Sequence, residues 1–379
     1  MKHFPLICLI LVLTAWSMDT TGATEHNDAL ALVKKGGLWG FIDRSGKTVV
    51  PLNLKDALPF TEGRALVKNK HWFGFLDLSG NPIIPARFAD ARSFSEGKAR
   101  VMLARKWGFV DSTGVFVIHP RFDDAGEFNE GAVRVKIGTT WGFVDSNGET
   151  LVQPRFEGVE DFREGRARVK IGGRFGFIDH SGAYAVLPKY DNASSFSEGF
   201  AAVQYGHLWG AVDRYGRVRV KPAYDLIWSF SEGRAFVKRG MHWGFVDSTG
   251  TLVIPPFYDD AWSFLSGKAP VKFATQWHYI DIVGRSIQKS FQKAMPFSEG
   301  LAAVQAIESP QNGREDIQHG IWGYIDFDGE FAIPARFDDA GSFSFGRAAV
   351  RMNDKWGFID RQGNIVIPAV YDSVFPFSR

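Results

Sequence analysis

The residues that could do chemistry in this chain recur at fixed spacing, and the most regular of them is an aspartate. It occupies ten positions, 34 residues apart except for one interval of 45, and a glycine follows each three residues later. Such carboxylates could line a path for a cation like Ca²⁺, but a calcium loop needs several carboxylates within about a dozen residues. Asp-x-x-Gly between apolar runs is instead typical of a hairpin turn. We therefore interpret these residues as turn residues, for example Asp43 with Gly46, Asp111 with Gly114, and Asp247 with Gly250.

Basic side chains form two further rows. One repeat position holds Arg87, Arg121, Arg155, Lys189 and Arg336, and another holds Arg100, Arg134 and Arg168. Stacking of the repeats would set each row side by side, which could bind an anionic polymer or an acidic partner. Acidic residues follow closely after most members of the first row, however. Ordinary surface ion pairs, which contribute little energy, are therefore the alternative interpretation.

The best candidate binding site lies where the pattern is disturbed. Trp228 and Trp262 share a variable position in consecutive units, so stacking would place two indoles side by side, suited to a sugar ring or a peptide. The next unit begins Trp277-His278 and lacks the usual glycine, and about twelve extra residues, Arg314 among them, follow within 305–318. Insertions in repeats map to loops on one face, commonly the binding face. Neutral drift with local packing is the competing explanation.

Catalytic motifs are missing from the sequence. Cys8 is the only cysteine, and there is no Gly-x-Ser-x-Gly, phosphate loop or His-Glu-x-x-His. The nine histidines are scattered without ligand spacing, so we predict neither a metal site nor a cofactor. The enzymatic alternative is a glycan-acting hydrolase with carboxylates in the irregular region of units eight and nine, which would need two carboxylates about 5–10 Å apart.

The chain consists of ten units. Their first residues are Trp39, Phe73, Trp107, Trp141, Phe175, Trp209, Trp243, Trp277, Trp322 and Trp356. Short runs rich in Val, Ile, Phe and Trp, bounded by Gly, Pro, Asn, Asp and Ser, predict three or four strands per unit and an all-β fold. A single meander cannot close a core, so neighbouring units must cover its aromatic residues.

The unit resembles the bacterial WG-repeat family. One copy reads Trp107-Gly108-Phe109-Val110-Asp111, then Gly114, Val117-Ile118, Pro120 and Phe122-Asp123-Asp124-Ala125, and closes with Phe128 and Glu130-Gly131. The resemblance extends over about residues 28–379. It implies tandem β-repeats, often in exported or surface proteins, with no common enzymatic activity.

The arrangement of the units has two solutions. The chain starts, after its leader, with the last strand of an incomplete unit, and it ends just before that strand would be due, as in a closed propeller. Against closure, 34 residues are few for a four-stranded blade, and ten blades exceed the usual four to eight. We therefore predict an open, twisted β-solenoid, with a closed propeller-like ring as the alternative.

The N-terminus has the pattern of a secretory signal peptide. A basic start, an apolar run from Phe4 to Trp16 and a small-residue site ending at Ala23 predict cleavage near Ala23, and the run is too short to span a membrane. Residues 1–23 would form the signal peptide and 24–379 a single repeat domain. Removal of Lys2 and Asp19 leaves the net charge at +2, which gives no bulk attraction for nucleic acid.

These observations favour a binding protein. We predict a secreted, periplasmic or cell-surface monomer without catalytic activity. One face of its array would bind a protein or a cell-envelope polysaccharide.

Overall fold

The computed structural model describes residues 29–69, 71–307 and 321–379, and its described part is built from β-strands. The predicted signal peptide with its cleavage site, Cys8, Arg314 and most of the insertion lie outside these residues. The predicted turns are formed as the sequence indicates. A carboxylate oxygen of Asp43 accepts hydrogen bonds from the backbone N–H groups of Ser45 and Lys47, and Gly46 closes the turn at φ +89°.

Each repeat contributes to a blade, an antiparallel meander that has four strands in nine of the ten blades. We number the blades 1 to 10 so that blade 1 contains both described ends of the chain. The first strand of each blade is short; in blades 1 to 10 it spans Ser373–Val374, Asp56–Ala57, Asp90–Ser95, Asp124–Ala125, Gly158–Val159, Asn192–Ala193, Leu226–Ile227, Asp260–Ala261, Lys293–Ala294 and Asp339–Ser344. The second strands are Ala31–Lys35, Ala65–Asn69, Lys98–Leu103, Ala132–Ile137, Ala167–Ile171, Phe200–Tyr205, Arg234–Arg239, Lys268–Phe273, Ala302–Gln305 and Arg347–Met352.

The third strands carry the aromatic residues that begin each unit. They are Leu38–Ile42, Trp72–Leu76, Lys106–Asp111, Thr140–Asp145, Arg174–Ile178, Leu208–Asp213, His242–Asp247, Gln276–Asp281, Trp322–Ile325 and Lys355–Ile359. The fourth strands are Thr48–Leu54, Pro82–Phe88, Phe116–Phe122, Thr150–Phe156, Tyr184–Tyr190, Val218–Tyr224, Leu252–Tyr258, Phe331–Phe337 and Ile365–Tyr371. Blade 8 has only three strands.

The glycine after each unit's first aromatic residue is needed because the backbone of the fourth strand passes too close to leave room for a side chain. The pairing of the third and fourth strands is irregular in register, between Trp107 and Phe109 for example, and this brings the fourth strand's backbone against the third strand. A Cβ on Gly108 would lie 2.5 Å from the carbonyl oxygen of Ile118 and 2.6 Å from the nitrogen of Pro120. Blade 8 carries His278 at this position, and there only isolated bridges replace the fourth strand.

The hydrophobic core lies between neighbouring blades. Phe109 and Phe122 of blade 3 pack with Phe128 and Val135 of blade 4 in one cluster, and similar clusters recur around the structure. The Phe109 and Phe128 rings meet edge to face, with centroids 4.9 Å apart. An aromatic side chain buries roughly 150–250 Å², worth about 4–6 kcal/mol as an upper bound, and only an adjacent blade can supply that burial.

The predicted open solenoid is wrong, because the ten blades form a closed ring. Ser373–Val374 pairs with Ala31–Lys35 in register Val33 to Val374, and Leu30 and Ser378 exchange backbone hydrogen bonds of 2.9 and 3.0 Å. The two described ends therefore complete one blade. The objection that 34 residues are too few does not hold, since first strands of mostly two residues and tight turns leave room for four strands.

Candidate functional site

The first arginine row bridges neighbouring blades. Its arginines donate an N–H to the carbonyl oxygen of the Asp-x-x-Gly glycine in the next blade; the pairs include Arg87 with Gly114 at 2.8 Å, Arg121 with Gly148 at 2.6 Å and Arg155 with Gly182 at 2.9 Å. Arg336 bonds Gly363 in the same way. Lys189, the lysine of this row, lies 5.3 Å above the Tyr190 ring instead. The guanidiniums also lie over the aromatic residue that follows them, at 5.2 Å for Phe88. These cations therefore have structural partners, although they are exposed.

The second arginine row also bridges blades. Arg100, Arg134 and Arg168 lie between their own blade and the first strand of the next, and Arg100 stands 4.3 Å above the Trp107 ring. Arg134 contacts the Asp161 carboxylate at 3.1 Å. Burial raises the pKa of Asp161, with the opposing charge of Arg134 acting against that rise. This row forms a partly buried network of ion pairs with the acidic residues of blades 4 and 5.

A glutamate ladder, which the sequence analysis missed, joins the turns between first and second strands. The ladder consists of the Glu-Gly turn glutamates whose carboxylates accept from backbone N–H groups of the next turn. Glu62 accepts from Glu96 and Gly97 at 2.8 Å, and Glu96 accepts from Glu130 and Gly131 at 2.6 and 2.9 Å. Other members are Glu130, Glu164, Glu198, Glu232 and Glu299.

The ladder explains an unfavourable backbone conformation. Glu198 has φ +51° and Gly199 φ +83°, and Ser197 and Phe200 pair across them, so the turn is a two-residue hairpin with both central residues left-handed. Such turns favour Asn-Gly, and a glutamate in this region is strained. The repeated choice of glutamate was the signal in the sequence: asparagine suits the turn, but glutamate reaches the next blade.

We expect Glu198→Asn to lower the free energy of unfolding by about 1 kcal/mol, although asparagine suits the turn better. The shorter side chain loses the bonds to Glu232 and Gly233. Ser266→Asn is the matched control, because Ser266 has the same left-handed conformation, at φ +56°, but no carboxylate. Chemical denaturation should show the control neutral or stabilised; a stabilised Glu198→Asn would exclude a structural role for the ladder.

Aspartates in the hairpin turns, and those directly before the first strands, are charged acceptors of hydrogen bonds. Bonds from the Thr113 hydroxyl and from backbone N–H groups lower the pKa of Asp111, against a small opposing effect of burial. The bond from Lys106 and the backbone N–H of Gly138 lower the pKa of Asp123. The pKa values of Asp179 and Asp372 are lowered as well, chiefly by the side-chain hydrogen bonds from Ser181 and Lys355 respectively.

These lowered pKa values predict acid sensitivity. Each such carboxylate contributes stability that is fully present above its unfolded pKa of about 3.9 and is lost as the pH falls through its lower folded value. We therefore expect the Tm to be level above about pH 5 and to fall steeply below about pH 4. Asp111→Asn should lower the Tm at neutral pH but make the acid decline shallower. A Tm that stays constant down to pH 2 would contradict this assignment.

The aromatic candidates lie on a row that we call the platform row, the third residue counted from the start of each first strand. In blades 1 to 10 it holds Phe375, Leu58, Arg92, Gly126, Glu160, Ser194, Trp228, Trp262, Met295 and Gly341. Large apolar side chains occupy it in blades 7, 8, 9, 1 and 2, whereas polar or small residues occupy it in blades 3 to 6 and in blade 10. The ring thus has an apolar sector, interrupted by Gly341 in blade 10, and a polar sector along one row.

Trp228 is the most exposed tryptophan on this row. Its side chain is 45% exposed and stacks on Phe236 at 5.6 Å and 21°, and Phe236 contacts Trp243 at 5.2 Å. Trp262 holds the equivalent place in blade 8 and is half-buried. Both donate their backbone N–H to the second strand, to Phe236 and Pro270 respectively. Within the described part of the chain, no ring contact joins the two indoles.

Two other predicted contact residues, Trp277 and His278, are half-buried in blade 8. Trp277 is partly buried in the core between blades 8 and 9, and its backbone pairs with Phe291. His278 is half-buried beside it. The structure therefore groups Trp228 and Trp262 by register and places Trp277 and His278 in the irregular blade next to them.

A closed ring of ten antiparallel blades defines the chain as a β-propeller. The chain belongs to the family defined by the WG containing repeat, whose model matches residues 39–70, 73–107, 107–138, 141–175, 175–207, 209–240, 243–274, 286–306, 322–356 and 356–379. The predicted membership is thereby confirmed. No curated protein matches the sequence.

Solved structures resemble the fold only. One described as a eukaryotic initiation factor has a TM-score of 0.52 at 12% identity, covering 89% of this chain and 99% of its own. Dihydro-heme d1 dehydrogenase NirN in complex with DHE gives 0.42 at 12% identity, with 96% and 77% covered. Apo AztD from Citrobacter koseri gives 0.34 at 12% identity, with 68% and 92% covered. The first likeness shows a shared overall fold, and the other two carry no argument.

Proposed function

We propose that this protein is an exported, non-catalytic scaffold that binds a protein or a cell-envelope polysaccharide through the apolar sector of the platform row. The repeat propeller fold suggests a scaffold or binding role. The observation that supports the site is the exposed Trp228 ring, held flat against Phe236. A rigid exposed indole loses little entropy on binding and offers a large stacking surface.

The experiment is capture from envelope material. Wild-type protein should retain a partner that Trp228→Ala/Trp262→Ala does not. Trp72→Ala is the matched control, because Trp72 is 49% exposed but lies outside the platform row. If the double variant captures as much as wild type, the aromatic site is wrong. Digestion of the captured material with protease or with glycosidase then separates a protein partner from a polysaccharide.

The hydrolase alternative depends on carboxylates in blades 8 and 9. There Asp281 and Asp326 accept backbone bonds in their own turns, and Glu330 pairs with Lys289 at 2.5 Å. These contacts give each group a structural role. Turnover of envelope glycans by the purified protein would overturn the non-catalytic proposal.

Export and monomeric state are parts of the same proposal. The signal pattern supports a mature chain that begins near Thr24, and the mass of the protein recovered outside the cytoplasm tests it. Closure of the ring within one chain supports a monomer, which scattering in solution tests. Of the residues that the structure describes, none forms a helix long and apolar enough to cross a membrane.

A further inference from the structure

Among the side chains that bond the backbone of the next blade, three kinds recur most regularly around the ring. The first two are the glutamate ladder and the first arginine row. The third is a serine that some blades carry at the position before the ladder glutamates. Its hydroxyl donates to a phenylalanine carbonyl of the next blade, as Ser95 does to Phe128 at 2.7 Å and Ser197 to Phe230 at 2.9 Å. We call these three the junction clamps. Eight of the ten junctions contain at least one.

The junction between blades 8 and 9 lacks all three. Leu265 replaces the serine, Ser266 replaces the glutamate and Ser290 stands at the position of the arginine row. The Tyr279 hydroxyl donates to the carbonyl oxygen of Met295 at 2.6 Å, as the Tyr324 hydroxyl does to Gly341 at the clamped junction of blades 9 and 10. The ion pair of Lys289 and Glu330 is exposed, so it contributes little.

The junction between blades 1 and 2 is the second without clamps. Asn53 stands at the position of the arginine row, and Arg379 follows Ser378 where the glutamate would be. The Ser378 hydroxyl is buried without a hydrogen-bond partner in the part of the chain that the structure describes. Edge-to-face packing of Phe41 on Phe60, at 4.8 Å, remains.

We infer that the ring is hinged at these two junctions. They divide it into an arc of seven blades, 2 to 8, and an arc of three, 9, 10 and 1. Apolar contacts continue across both junctions, in the clusters that contain Tyr279 with Phe297 and Phe41 with Phe60. Burial of apolar surface is non-directional, whereas hydrogen bonds restrict angles. Loss of the clamps therefore leaves the blades attached by apolar packing and, between blades 8 and 9, by the Tyr279 bond, with more freedom to tilt than at the clamped junctions, as hinge motions require.

The platform row crosses both hinges. Trp262 and Met295 lie on opposite sides of the junction between blades 8 and 9, and Phe375 and Leu58 lie on opposite sides of the other. Motion of the arcs changes the spacing of these apolar side chains. The polar sector of blades 3 to 6 lies inside the clamped seven-blade arc and keeps its geometry.

Spin labels three blades apart test the hinge in the full chain. Cys8→Ser removes the only cysteine. Labels at Asn147 and Thr249 measure the distance between blades 4 and 7, both within the seven-blade arc. Labels at Thr249 and Gln362 measure the distance between blades 7 and 10, which lie on opposite sides of the hinge between blades 8 and 9. All three residues are exposed and hold the same turn position. We expect the distance distribution of the second pair to be broader by about twofold.

Repair of the junction separates hinge motion from label mobility. Leu265→Ser/Ser266→Glu restores two clamps between blades 8 and 9, and it should narrow the distribution of the second pair to that of the first. Equal widths before repair overturn the inference. A broad distribution that the repair leaves unchanged, with an unfolding midpoint no lower than that of the parent, overturns it as well.

Discussion

Gly108→Ala is expected to lower the free energy of unfolding by about 3 kcal/mol, an unusually large effect for a single methyl group. The added Cβ would meet the backbone of the fourth strand at 2.5 Å and 2.6 Å, where no side-chain rotation can relieve the contact. The fourth strand of blade 3, Phe116–Phe122, must then move away from the third. Arg121 lies on that strand and donates a hydrogen bond to Gly148 of blade 4, so this bond would be disturbed as well.

Blade 8, which lacks this glycine, also lacks a regular fourth strand. His278 stands in place of the glycine, and pairing with the following segment is reduced to bridges between Trp277 and Phe291 and between Ile280 and Ser286. Gly158→Ala is the control for Gly108→Ala, because the nearest atom to its added Cβ, on Lys170, lies at 3.9 Å. Urea unfolding should leave this control within about 0.5 kcal/mol of wild type. Equal stability of the two alanine variants would refute the close-approach argument.

Phe109→Ala should cost about 3–5 kcal/mol, since it leaves a cavity in the core between blades 3 and 4. The ring is 1% exposed and packs edge to face on Phe128. Val115→Ala is the surface control, since Val115 is 61% exposed and its truncation should change the stability by less than about 0.5 kcal/mol. A loss below about 1 kcal/mol for Phe109→Ala would show that the blades do not depend on one another's aromatic residues for burial.

The units, their strands and their turns could be predicted from the sequence, because periodicity and turn chemistry are local properties. Asp43 and Gly46 form their turn from neighbouring atoms alone. The clamps could not be predicted in this way. Arg87 reaches a carbonyl oxygen 27 residues later, and Glu62 reaches an amide 34 residues later, so their roles depend on how one unit stacks on the next.

The prediction about ring closure was wrong for the same reason, because it also requires knowing how one unit stacks on the next. The complementary chain ends indicated it, but the choice between a ring and a solenoid is set by the angle between blades, and no residue type encodes that angle directly. The candidate site was predicted only in part. Trp228 and Trp262 do share a register position, while their surroundings, Phe236 and the platform row, became visible only in the structure.

Completion of blade 1 from both ends has a kinetic consequence for this chain. Val33 and Val374 are 341 positions apart, so their pairing closes a loop of nearly the whole polypeptide. Contacts between consecutive blades form early because they are local, while this last contact carries the largest loop-closure entropy and belongs to the slow end of folding. Until a ribosome has delivered Val374, the second strand of blade 1 has an unpaired edge, and unpaired edges of this kind invite association with other chains.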